Sequence, residues 1–150
     1  MTVRVLVVDD NPVVRMGLES LLESSGQCTV VGQAGDGEAA VELARACGPD
    51  VTLLDVRMPG LDGVGALEHL VPLTRVLMLT YTDDDDVVLA ALQAGASGYL
   101  VHGQLGAADL TAAVVATAAG HQILGSTAAD AVRRALLQPG GSGPDPWGLT

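Results

Sequence analysis

The chain has 150 residues, which fits one domain of common size with a short extension. The formal net charge of −11 argues against this segment binding a nucleic-acid backbone or an anionic membrane by itself, and the apolar runs are too short to span a membrane. Such a charge suits a protein that holds a divalent cation or meets basic partners. Cys28 and Cys47 lack metal-binding or redox spacing, which is typical of a cytoplasmic protein with reduced thiols.

Apolar runs of strand length alternate with segments of helical periodicity. The runs predict strands over 3–8, 28–34, 51–54, 76–80 and 97–101. The segments between them predict helices over 12–24, 38–47, 63–70, 85–94 and 106–119. The apolar face of the first helix, which we expect to be buried, is marked by Val13, Val14, Leu18, Leu21 and Leu22. Five alternating units predict an α/β fold, a doubly wound five-stranded parallel sheet with helices on both faces.

The character of the sequence changes after residue 120. Residues 127–137 predict a further short helix, and the proline and glycine content of 138–146 is typical of a flexible linker. We therefore predict a main domain over 1–121, a helical linker extension over 122–138 and a flexible linker over 139–150. The linker is expected to lead to a domain that this sequence does not contain.

Polar residues stand at the ends of three predicted strands. Asp9 and Asp10 follow the first strand, Asp55 follows the third and Thr80 ends the fourth. In sheets of this kind the ligand site lies beyond the carboxyl ends of the strands, so these residues can share one pocket. Carboxylates are suitable magnesium ligands, and a carboxylate can accept a phosphoryl group as a nucleophile. The three aspartates are therefore a candidate site for Mg²⁺ and phosphoryl transfer.

Four motifs, in this order, resemble those of response-regulator receiver domains. They are Val7-Val8-Asp9-Asp10-Asn11, Leu53-Leu54-Asp55-Val56-Arg57-Met58-Pro59, Met78-Leu79-Thr80 and Gly95-Ala96-Ser97-Gly98-Tyr99. The continuation Ala118-Ala119-Gly120 and the linker ending in Gly148-Leu149-Thr150 resemble regulators of the LuxR/FixJ type. The resemblance implies a flavodoxin-like (βα)5 fold with Asp55 as the phosphoacceptor and Thr80 and Tyr99 as switch residues. It also implies that Mg²⁺ is bound by Asp9, Asp10 and Asp55.

The resemblance further implies partners. They are a histidine kinase, a second copy of the chain in a homodimer, and DNA, which would be bound only through a helix-turn-helix domain following Leu149-Thr150. It implies control of transcription, in the cytoplasm, by a domain that is not itself an enzyme.

One position departs from the family pattern, which has a lysine after the last strand. This chain contains no lysine, and His102 stands at the matching position. Histidine is mostly neutral at neutral pH, so it supplies less positive charge than lysine does. Two hypotheses follow: a phosphorylation-controlled receiver, or an atypical receiver that works without phosphorylation as a dimerisation or ligand-sensing module.

Two enzyme classes resemble parts of the sequence less well. Residues 35–40 match the glycine-rich pattern of dinucleotide-binding folds, but the acidic side chains of Asp36 and Glu38 would oppose a pyrophosphate. We therefore predict a turn there, with a helix beginning near Asp36. Asp9-Asp10-Asn11 also departs from the D-x-D pattern of haloacid-dehalogenase phosphatases.

Overall fold

Strands and helices alternate along the computed structural model, which describes residues 2–55, 63–80, 85–101, 107–124 and 136. The strands are β1 (Val3–Val8), β2 (Cys28–Ala34), β3 (Val51–Leu54), β4 (Arg75–Thr80), β5 (Gly98–Val101) and β6 (Ile123–Leu124). The helices are α1 (Pro12–Ser24), α2 (Gly37–Cys47), α3 (Gly63–Leu70), α4 (Asp85–Gln93) and α5 (Ala107–Ala118). The helices of the described part are too short or too polar to cross a membrane.

All strand pairs of the sheet are parallel, and the strand order is β2-β1-β3-β4-β5-β6. The predicted doubly wound fold is confirmed, and the ends of the predicted strands and helices agree with the structure to within a residue. The short strand β6 is an addition that the sequence did not predict. It pairs with β5, where Gly98 lies opposite Ile123.

The sheet separates two hydrophobic cores, because successive side chains of a strand point to opposite faces. Leu6 and Val8 of β1 pack in the core that α2, α3 and α4 cover. Val5 and Val7 of the same strand pack in the core that α1 and α5 cover. Burial on both faces explains why the strands of the sheet are nearly continuous apolar runs in the sequence.

The first turn of α1 corrects one prediction. Leu18 and Leu22 are buried as expected, but Val13 is 71% exposed, so its predicted place on the buried face is wrong. The reason is the helical period: Leu22 lies nine residues after Val13, about two and a half turns at 3.6 residues per turn, and therefore on the opposite side.

The start of α2 confirms the predicted turn near Asp36. The side chain of Asp36 accepts a hydrogen bond from the backbone N–H of Ala39 at 2.8 Å, which makes it the N-cap of the helix. A carboxylate thus occupies the first turn, where a dinucleotide fold would hold its pyrophosphate.

The division into domain and linkers remains a prediction. Most of the segment from 125 to 150, including the predicted linker over 139–150, lies outside the described residues. Leu136 is described and is helical, and it falls within the helix predicted over 127–137. Ile123 and Leu124, which we assigned to the helical extension, form β6 of the sheet.

Candidate functional site

The candidate site lies where the carboxyl ends of β1 and β3 meet. Val8 and Leu54 are partners in the parallel register, so the residues that follow them leave the sheet side by side. The backbone N–H of Asp55 donates to the carbonyl of Val8 at 3.0 Å, and that of Asp9 donates to the carbonyl of Ala34 at 3.1 Å. Backbone hydrogen bonds therefore position both acidic residues.

Three carboxylates converge at this edge of the sheet. Asp9, Asp10 and Asp55 each offer one carboxylate oxygen, and these oxygens lie within 4.8 Å of one another. Asp9 and Asp55 are buried, with exposed fractions of 3% and 7%, whereas Asp10 is exposed. Such a set of oxygen atoms, partly open to solvent, can hold a small divalent cation.

The electrostatics of Asp9 reflect this crowding. Burial raises the pKa of its carboxyl group, and the nearby carboxylates of Asp55 and Asp10 raise it further. A hydrogen bond of 2.9 Å, donated by the backbone N–H of Asn11 to Oδ1 of Asp9, acts in the opposite direction and lowers the pKa. Because the net shift is upward, the charged form is disfavoured here, and a bound cation would relieve that cost.

The residues around the site include one cation that the sequence analysis missed. Arg15, in α1, donates a hydrogen bond from Nη1 to the backbone carbonyl oxygen of Asp9 at 2.5 Å. Side chains on a helix lean towards its N-terminus and Arg15 lies in the first turn, but this direction does not by itself identify the carbonyl that Arg15 contacts.

The remaining predicted site residues are described only in part. Thr80 ends β4 and its backbone pairs with Val101, but its side chain lies outside the described part of the chain. Tyr99 is fully buried in the core beneath α2, α3 and α4. His102 and the segment 56–62 after Asp55 also lie outside the described residues.

Comparisons with known proteins agree with this architecture. The family model for the response regulator receiver domain matches residues 5–115. The chain is 48% identical over 102 residues to the transcriptional regulatory protein NarL of Mycobacterium tuberculosis, which covers 66% of this chain and 47% of NarL. It is 37% identical over 141 residues to the transcriptional regulatory protein LiaR of Bacillus subtilis, covering 92% of this chain and 66% of LiaR. The chain thus spans about half the length of the NarL relative.

Solved structures show the same likeness. The receiver domain of NarL from M. tuberculosis superposes with a TM-score of 0.76 at 42% identity, covering 80% of this chain and 98% of that domain. A LuxR-family two-component regulator from Aurantimonas sp. SI85-9A1 superposes with a TM-score of 0.84 at 31% identity, covering 92% of this chain and all of the other.

The relatives are regulators by name, in keeping with the prediction of a regulatory rather than an enzymatic domain. The comparisons give no support to the phosphorylation-independent alternative. This chain therefore belongs to the response regulator receiver family, and it is a receiver domain of the NarL/LuxR type of two-component regulator.

Proposed function

We propose that Asp55 accepts a phosphoryl group from a histidine kinase, and that Asp9, Asp10 and Asp55 hold Mg²⁺ for this reaction. The observation that carries the proposal is the convergence of three carboxylate oxygens within 4.8 Å. Magnesium, when bound, would neutralise charge between the carboxylates and the phosphoryl oxygens. The donor set fits that ion, because all three ligand atoms are carboxylate oxygens.

Asp55 is proposed as the nucleophile because of its position. Its backbone is held by Val8 at the end of β3, and its side chain is mostly buried. In the transfer, a carboxylate oxygen of Asp55 forms a bond to phosphorus while the bond from phosphorus to the kinase histidine nitrogen breaks. Asp9 and Asp10 act only as metal ligands, whereas Asp55 is both a ligand and the nucleophile.

The proposed switch consists of Thr80 and Tyr99. From the family resemblance, Thr80 donates a hydrogen bond to a phosphoryl oxygen and Tyr99 changes rotamer in response. The full burial of Tyr99 supports this role, because a large side chain cannot move in a packed core without moving its neighbours. His102 is proposed to weaken the response, since it replaces a fixed positive charge.

The activity of the whole protein is also proposed. We infer that it is a cytoplasmic homodimer that regulates transcription through a C-terminal helix-turn-helix domain, joined by the linker extension at 122–138 and the flexible linker at 139–150. The names of NarL and LiaR as transcriptional regulatory proteins support this. The acidic net charge supports the inference that the helix-turn-helix domain, and not this receiver domain, binds DNA.

The test is incubation with a small phosphodonor and Mg²⁺, followed by intact-mass analysis. The parent should gain the mass of one phosphoryl group, and Asp55→Asn should gain none because the amide is not a nucleophile. Asp50→Asn is the matched control, since Asp50 is exposed at the other end of β3 and should leave the gain unchanged. A parental mass gain in Asp55→Asn would refute the assignment.

A further inference from the structure

Arg15 reaches the acidic site from the fourth residue of α1. Its side chain is half-buried, and Nη1 donates a hydrogen bond of 2.5 Å to the backbone carbonyl of Asp9. Because side chains on a helix lean towards its N-terminus, the guanidinium of Arg15 can reach the residues that precede α1. The contact joins α1 to the end of β1, directly beside the three carboxylates.

The space for the guanidinium depends on Gly35. A Cβ atom built on Gly35 would lie 3.2 Å from Nη1 of Arg15, closer than an ordinary van der Waals contact. The backbone of Gly35 does not require glycine, since its φ is not in the left-handed region that Gly48 occupies. The contact with Arg15 therefore offers a physical reason for glycine at this position.

Asp9 is consequently held from three directions. Its backbone N–H donates to Ala34, its carbonyl accepts from Arg15, and its carboxylate accepts from the backbone N–H of Asn11. These bonds act against the mutual repulsion of three close carboxylates. With the Arg15 bond removed, the turn from Asp9 to Asn11 can relax away from Asp55.

We propose that Arg15 is a positioning residue, which holds Asp9 where its carboxylate can bind a divalent cation, and that Gly35 leaves room for the guanidinium. The proposal rests on the proposed magnesium site. Arg15 contacts the backbone of Asp9, so it acts by fixing the position of that residue and not as a metal ligand. Its loss lowers the fraction of molecules in which the Asp9 carboxylate is placed for Mg²⁺ binding, and the apparent affinity for Mg²⁺ falls by the same factor.

The test is calorimetric titration of Mg²⁺ at one fixed pH. Arg15→Gln should raise Kd roughly threefold to tenfold, the range that corresponds to one hydrogen bond. Gly35→Ala should raise Kd less, because the guanidinium need only shift. The double variant should match Arg15→Gln, since Gly35 acts through Arg15.

Two further measurements test whether Arg15 acts by positioning Asp9, through its positive charge, or in the phosphoryl transfer itself. Arg45→Gln removes the same charge from the exposed last turn of α2, at the opposite edge of the sheet, and should leave Kd unchanged. At saturating Mg²⁺, the phosphodonor labelling of Arg15→Gln should return to the parental rate, because the defect lies in metal affinity.

Several outcomes would overturn the proposal. If Arg15→Gln binds Mg²⁺ like the parent while Asp10→Ala does not, Arg15 has no positioning role and the metal site stands. An equal rise of Kd in Arg45→Gln would mean that the effect is not specific to Arg15, since losing a positive charge should by itself favour Mg²⁺ binding. If the parent fails to bind Mg²⁺, the metal site fails and the positioning role fails with it. Should Arg15→Gln lose its circular dichroism signal, Arg15→Lys replaces it, and a parental Kd there would refute the role of the guanidinium group.

Discussion

The two edges of the sheet use aspartate in opposite ways. At the amino-terminal edge, Asp50 lies beside Arg4 and both are exposed. The backbone N–H of Arg4 donates to Oδ2 of Asp50 at 2.9 Å, that of Asp50 donates to the carbonyl of Arg4 at 2.8 Å, and the Arg4 guanidinium donates to the carbonyl of Gly48 at 2.9 Å. One carboxylate, with a cation nearby, joins β1 to the start of β3.

At the carboxyl-terminal edge, the same two strands end in Asp9, Asp10 and Asp55. Here two of three carboxylates are buried, and the pKa of Asp9 is raised, first by burial and then by its acidic neighbours. The amino-terminal edge therefore stabilises the fold, whereas the carboxyl-terminal edge concentrates negative charge at a cost in stability. That cost is what a bound cation can recover.

The largest expected effect at the acidic edge is loss of the magnesium response. In the parent, Mg²⁺ at ten times its Kd should raise the free energy of unfolding by about 1.4 kcal/mol. Asp10→Ala should abolish this gain, because it removes a ligand, whereas Asp50→Ala should retain it. Thermal melting with and without Mg²⁺ measures both, and an intact response in Asp10→Ala would show that the cation binds elsewhere.

Replacing His102 by the lysine of the family pattern should have the next largest effect. A charge pair at about 4 Å is worth on the order of 1 kcal/mol in water and about 4 kcal/mol at an effective dielectric near 20. His102→Lys should therefore increase phosphodonor labelling, measured by intact mass, roughly fivefold or more. It should also increase dimerisation on labelling, which light scattering measures. If the parent already labels and dimerises as fully as this variant, His102 is a sufficient substitute for lysine.

Breaking the amino-terminal edge should cost stability alone. Asp50→Ala removes the acceptor for the backbone N–H of Arg4 and should lower the free energy of unfolding by about 1 kcal/mol. Denaturant unfolding in the absence of divalent ions measures the change. A loss of phosphodonor labelling at saturating Mg²⁺ would contradict the independence of the two edges.

The smallest expected effect is a pH dependence of the metal-free protein. Since folding raises the pKa of Asp9 above its ordinary value of 3.8, the folded state binds more protons than the unfolded state between the two values. Stability should therefore fall as pH rises through this window, and it should stay lower above it. Asp9→Asn should flatten that part of the profile and leave the metal-free protein slightly more stable at neutral pH. A profile that is equally steep in Asp9→Asn would assign the titration to another group.

Much of this site was predictable because local sequence and global topology agree. The apolar runs that end at Val8 and Leu54 mark β1 and β3, and parallel strands present their carboxyl ends at one edge. Asp9, Asp10 and Asp55 therefore had to meet if the strands were adjacent. Their burial and the shift in the pKa of Asp9 were not predictable, because both depend on distances between segments far apart in the chain.

The sequence by itself determined the α/β class, the bounds of the helices and strands, and the carboxylates of the site, since these follow from periodicity and from strand ends. Tertiary structure alone decided the strand order, the pairing of β6 with Gly98, and the contact of Arg15 with the carbonyl of Asp9 beside Gly35. Each of these depends on the space between segments that are brought together only by folding. A pattern in the sequence does not give the distances between such segments.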